Sequence, residues 1–321
     1  MKSKTKNIQP SEIKNNFINF YPYIIFCFSF LLYYQSIDFK FVMFDDDILL
    51  GANEEFFTKD GSLKTIFTTD AFLRNDGTFY RPLQNLSYLI DIKIASDAKA
   101  KTCHFNNVLL FSLITFSLYY LLIKFKISHY WAFLGVLLYA AHPLFTSAVV
   151  WMPGRGDLLL TLFAIISFIF WISFLENKKN NNLFLTWLFF TLALFSKETA
   201  ALLPVLYLLY FLVFTSKRKI DFRLILSGFL LLCSGIGWFI LRTKSIMVYD
   251  TNMVINDYLN NLIAIPTALA LFIVPYDFST VPGYTAVKTI IGLVILLLIV
   301  VLVVKNNHLK FLVFFVVILI Q

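Results

Sequence analysis

Long apolar runs alternate with short polar connections along this chain. The runs lie near residues 18–34, 105–123, 130–150, 157–175, 183–196, 200–215, 222–241, 260–275, 286–304 and 308–320. A helix crossing about 30 Å of hydrocarbon at about 1.5 Å per residue needs roughly 20 such positions. Backbone groups have no other way to pair inside lipid, so the pattern predicts an all-α polytopic bundle of about ten transmembrane helices. The runs 183–196 and 200–215 are short and are interrupted by Ser196-Lys197-Glu198. They predict a hairpin whose turn dips near the membrane surface.

Composition agrees with this reading. With 59% hydrophobic and only 14% charged residues, the chain has too little polar surface to be water-soluble. The net charge of +8 would suit a nucleic-acid binder in a soluble protein. Here the cations sit between apolar runs, where orientation in the membrane accounts for them, and nucleic acid is excluded as a partner. Cys27, Cys103 and Cys233 are far apart and give no disulfide or metal-binding spacing. The basic start (Lys2, Lys4, Lys6) precedes an apolar run with no evident cleavage site, which predicts a retained first span.

Lys124 and Lys126, Lys178 and Lys179, and Lys217, Arg218, Lys219 and Arg223 occupy alternate connections. By the positive-inside rule these face the cytoplasm, together with a tail over 1–17. The segment 35–104, the turn around Gly154–Asp157 and the Ser-Lys-Glu turn then share the extracytoplasmic face, in a bacterial-type inner membrane rather than the endoplasmic reticulum. The first loop carries eleven of the nineteen acidic residues. It is expected to contain amphipathic helices. Residues 18–241 read as one membrane module. Residues 242–321 read as a variable set of C-terminal helices whose topology is open, in a chain that reads as a fragment or a short member of a longer family.

Four clusters carry chemistry. In FVMFDDDILLGAN, Asp45, Asp46 and Asp47 are close enough to raise one another's pKa. One of them can serve as a general base or help hold a divalent ion, or the group caps a helix starting near Ile48. In YRPLQNLSYLID, Arg81 is a phosphate fork or an interfacial anchor. In AAHPLFTSAVVWMPGRGDLLL, His142, Arg155 and Asp157 surround the ends of two spans, with Asp157 expected to pair with Arg155. In LALFSKETAALLP, Lys197 and Glu198 are either functional or a snorkelling anchor.

These stretches in this order resemble the membrane portion of GT-C fold glycosyltransferases. The likeness is greatest to the tetratricopeptide-repeat O-mannosyltransferase branch, to protein O-mannosyltransferase-like enzymes and to their bacterial relatives. The aspartates after the first span, YRPL, HFNN with His104 and Asn107, the His-Pro segment followed by Gly-Arg-x-Asp, and LFSKE carry the resemblance, with a thinner likeness at VPYDFS over 274–279. It covers residues 41 to about 200, and the family's repeats are absent from this sequence. The resemblance implies transfer of a mannose-like sugar, with inversion, from a polyprenyl- or dolichyl-phosphate carrier to a hydroxyl of a protein, lipid or glycan acceptor. Asp45 is the first choice for the base and Asp46 the second. Arg81, Arg155 and Lys197 would bind the donor phosphate, supported by Asp47, His104, Asn107, His142, Asp157 and Glu198. No cofactor beyond the lipid-linked donor is expected, with a divalent metal left open. A lipid-linked sugar flippase and a catalytically silent scaffold are the competing readings.

Overall fold

A computed structural model of the chain describes residues 18–42, 45–74, 77–95, 99–215, 220–247, 264–274 and 285–305. The N-terminal tail over 1–17, Asp76, Asp97, the cations Lys217, Arg218 and Lys219, residues 275–279 of the VPYDFS stretch and the last apolar run lie outside them. Among the described residues every regular element is helical. In chain order the α-helices are α1 (Tyr21–Tyr33), α2 (Leu63–Thr68), α3 (Pro82–Ala95), α4 (Lys99–Lys124), α5 (His129–Ala140), α6 (Thr146–Val150), α7 (Arg155–Asn177), α8 (Asn180–Ser196), α9 (Leu203–Phe214), α10 (Phe222–Ser245), α11 (Ala264–Ile273) and α12 (Ala286–Lys305).

Ten spans are not what the described residues show. Three helices are long and apolar enough to cross a membrane: Lys99–Lys124, Met152–Asn177 and Phe222–Ser245. The expected span 130–150 is bent by 51° between α5 and the segment Pro143–Val150, and makes a fourth if the pair is one crossing. Pro143 has no N–H to continue α5. His142 caps the new turn, its Nδ1 accepting from the Leu144 amide at 3.2 Å. At 13, 17 and 12 residues, α1, α8 and α9 are shorter than a straight crossing requires. The expected hairpin is present: α8 ends at Ser196, a 3-10 turn runs Glu198–Leu202, and α9 follows.

The bundle core lies among α4, α7, α8 and α9, around Phe111, Phe168, Trp171, Phe190 and Tyr207. Lipid is as apolar as these side chains, so polar contacts help hold the helices in register. The Ser167 hydroxyl reaches both the Thr186 carbonyl and the Tyr207 hydroxyl at 2.7 Å, and the Trp171 indole donates to the Tyr207 carbonyl at 3.1 Å. A second core sits in the first loop, where Leu49, Leu50, Phe57 and Ile66 pack on Tyr88, Leu89 and Ile92 of α3, together with Cys103 and Met152. The loop is thus a folded cap with α3 as its inner helix.

The two ends of the bundle differ. At one end Lys124 pairs with Glu176 at 2.8 Å, Lys178 with Asp221 at 3.5 Å, and Arg223 donates to the Lys178 carbonyl at 2.5 Å. The opposite end carries the cap, the start of α7 and the Ser-Lys-Glu turn. The basic connections grouped in the sequence therefore do converge, as far as their residues are described.

Candidate functional site

Helix α3 is the spine of the site. Arg81 immediately before it and Gln84, Asn85, Tyr88 and Asp91 within it recur at the i, i+3, i+4, i+7, i+10 spacing of one helical face. That face is buried against the bundle, which makes it a polar stripe in an enclosed setting. Arg81 makes a two-pronged pair with Glu198, Nε to Oε2 at 3.1 Å and Nη2 to Oε1 at 2.7 Å, while its guanidinium lies 4.6 Å from the Phe79 ring centre. Burial alone would raise the Glu198 carboxyl, but the Arg81 hydrogen bonds and charge outweigh it and hold the group below its ordinary range.

Arg155 is placed differently from the expectation. It is 0% exposed and pairs with Asp91, not with Asp157. Its Nε donates to Asn107 Oδ1 at 2.7 Å, Nη2 to the Cys103 carbonyl at 2.5 Å and Nη1 to Ser87 at 3.4 Å, and the guanidinium stacks 4.5 Å from the Tyr88 ring centre. Asp91 is held in turn by Asn106 at 2.6 Å, and Asn107 donates to the Val149 carbonyl at 3.2 Å. A guanidinium enclosed by protein acceptors and an aromatic face has no edge left for a phosphate. Arg155 locks α3, α4 and α7 together.

Asp157 pairs instead with Lys197. The reason is local: Arg155 and Asp157 point to different sides of the first turn of α7. Gly156 between them packs so tightly that a Cβ would lie 2.5 Å from Gln84 Oε1. Asp157 also lines an apolar groove with a cavity volume of about 270 Å³, bounded by Phe111, Leu118, Leu121, Ala164, Phe168 and Leu206. Among the described residues that line this groove Asp157 alone is charged. The groove therefore runs from an ion pair down into the bundle.

The three aspartates separate. Asp47 is exposed, Asp45 is half-buried and Asp46 is 1% exposed. Asp46 does not cap the π-helical turn Asp47–Gly51 that follows it. Its Oδ2 accepts from the Val42 amide at 3.0 Å, and its Oδ1 is buried with no hydrogen-bond partner. Burial pushes the Asp46 carboxyl above its ordinary pKa, the Val42 amide opposes this, and the charges of Asp47 and Asp45 add to it. The Asp46 charge also acts on Tyr88, the ring on which Arg155 stacks.

Residues 92–239 match the family model of dolichyl-phosphate-mannose-protein mannosyltransferases. No curated protein and no solved structure matches significantly. The mannosyltransferase match covers a little under half of the chain. It takes in His104, Asn107, His142, Arg155, Asp157, Lys197 and Glu198 and stops short of Arg81 and the three aspartates. It also spans the three long apolar helices almost entirely, and together they describe a helical membrane protein similar to a glycosyltransferase family.

Of the remaining expected residues, His142 donates through Nε2 to the Phe272 carbonyl at 2.8 Å and stacks on the Phe272 ring, tying the bend to α11. His104 is buried edge-on to Phe39, with the Lys40 backbone as its polar neighbour and no well-formed hydrogen bond. Among the described residues no three His, Cys, Asp or Glu side chains converge as metal ligands. Gln84 and Asn85 were not anticipated. Asn85 is 0% exposed and neither its Oδ1 nor its Nδ2 finds a partner; Gln84 Oε1 is likewise unpaired. Their signal in the sequence was the helical spacing from Arg81, two amides on a face that the Pro82 start directs into the protein.

Proposed function

We propose that this chain is a membrane glycosyltransferase that takes a sugar from a polyprenyl- or dolichyl-phosphate carrier and transfers it to an acceptor hydroxyl with inversion. The observation that carries the reading is the apolar groove ending in the Lys197–Asp157 ion pair. A long isoprenoid tail suits its walls, and Lys197, which pairs with the Asp157 carboxylate at the groove's polar end, supplies an ammonium group for a phosphate just beyond the groove. The mannosyltransferase match supports mannose as the sugar and a protein as one acceptor class.

In this reading Asp46, rather than Asp45, removes the proton of the acceptor hydroxyl. The oxygen attacks the anomeric carbon, the bond from that carbon to the phosphate oxygen breaks, and the lipid phosphate leaves with its charge. Lys197 and Arg81, each held by a carboxylate partner, offset that growing charge. The reacting end is the one opposite the basic connections, hence extracytoplasmic by the positive-inside rule.

The test is transfer from a radiolabelled polyprenyl-phosphate sugar in membranes. A positioned general base contributes about 100- to 10,000-fold, so Asp46→Asn should lower transfer by at least about 100-fold, and Asp45→Asn far less. Equal activity of Asp46→Asn and the unaltered protein removes the base assignment. Absence of transfer from any lipid-phosphate sugar by the unaltered protein removes the enzyme reading.

A further inference from the structure

A second cleft, with a cavity volume of about 770 Å³, opens between α9 and α10, away from the groove beneath Asp157. On α10 its wall includes Gly228 and Gly235, and a Cβ built at either would meet open space. Trp238 lines the same cleft. It is 9% exposed, and its indole N–H has no acceptor among the described residues. One turn nearer the site end, the Arg242 guanidinium lies 5.7 Å from the Trp238 ring centre, and its Nη2 donates to the Thr78 carbonyl at 3.5 Å.

We propose that this cleft binds an ester-linked glycerophospholipid. The order of groups along α10 matches the order of groups in such a lipid. Arg242, on the same face of α10 as Trp238, meets the headgroup phosphate at the rim. Trp238, about 6 Å deeper at 1.5 Å per residue, donates its N–H to an ester carbonyl. Past Trp238 the wall is apolar for a further ten residues to Gly228, about 15 Å, the run of one acyl chain laid where glycine leaves room. A buried indole N–H without an acceptor is costly, and the ester carbonyl removes that cost. A polyprenyl phosphate shares the phosphate and the apolar chain but has no carbonyl at that depth, so the indole distinguishes the two. Bound there, the lipid would fill the seam behind α10, whose rim end reaches the cap through the Met247 amide and the Gly77 carbonyl at 3.0 Å.

The purified full chain in nanodiscs is offered diacyl phosphatidylglycerol, its diether analogue or polyprenyl phosphate, and retained lipid is read by native mass spectrometry. The diacyl lipid should be retained several-fold over the diether. Trp238→Phe, which keeps an aromatic ring and loses the N–H, should abolish that preference, and Gly235→Leu should expel both lipids while thermal unfolding stays cooperative. The proposal is overturned by equal retention of diester and diether in the unaltered protein, by unchanged retention in a folded Gly235→Leu variant, or by polyprenyl phosphate displacing the diacyl lipid.

Discussion

Asp46 illustrates how burial sets a single group's chemistry. Its folded-state pKa is raised above the ordinary value of about 3.9, so the folded protein favours the protonated form more than the unfolded chain does. The rate of transfer should then rise with pH through a value above the ordinary aspartate range, and a pH–rate profile whose acid limb lies near 3.9 would argue against this carboxylate. Stability runs the opposite way. The ionised carboxyl destabilises the fold as pH rises through its raised pKa, so Asp46→Asn should be more stable than the parent at neutral pH, and the difference should vanish below about pH 3.9. Asn85 makes a related statement without charge. An unsatisfied buried amide costs about 1–3 kcal/mol, so Asn85→Leu should raise the unfolding midpoint; a lowered midpoint would mean that the amide has a partner in solution.

At the scale of elements, the start of α7 decides how the cap meets the bundle. Arg155 satisfies acceptors on two other helices with a planar fork that lysine does not reproduce. Arg155→Lys should therefore destabilise the protein by roughly 1–3 kcal/mol, since one ammonium cannot hold Asp91, Asn107 and the Cys103 carbonyl at once and leaves buried acceptors unpaired. Thermal unfolding in detergent measures this, and the variant molecules that stay folded should keep their donor affinity. A selective loss of donor affinity with unchanged stability would restore Arg155 to the phosphate site. The sequence made α4, α7, α10 and the Ser-Lys-Glu hairpin legible, because apolar periodicity and charged turns are local signals. It did not reveal the partners. Arg155 and Asp157 are neighbours in the chain, yet Arg155 pairs with Asp91 and Asp157 with Lys197, since Gly156 docks against Gln84 and the flanking side chains diverge. The bend at Pro143 was likewise visible as a proline but not as a break, because an apolar run continues through it.

Across the described part of the molecule, the groove approaches the polar stripe at the Asp157 turn, and in the proposed function tail binding and headgroup chemistry are therefore separable. Ala164 lies on the groove wall, well below the ion pair. Ala164→Phe should raise the apparent KM for a long-chain donor by roughly tenfold, the loss of about 1.4 kcal/mol, while leaving a short-chain analogue almost unaffected. Kinetics with donors of graded tail length check this, and equal effects on short and long donors would take the groove out of the binding path.

The cap has its own interior, built from Leu49, Leu50, Phe57 and Ile66 against α3, apart from the interior of the bundle. Aqueous packing and lipid-phase packing are therefore handled by different sets of side chains. A graft that exchanged the cap's outer surface while retaining α3 and its inward face would leave every crossing helix as it is, so under the proposed function acceptor choice would be free to diversify on the cap while the embedded scaffold stayed the same.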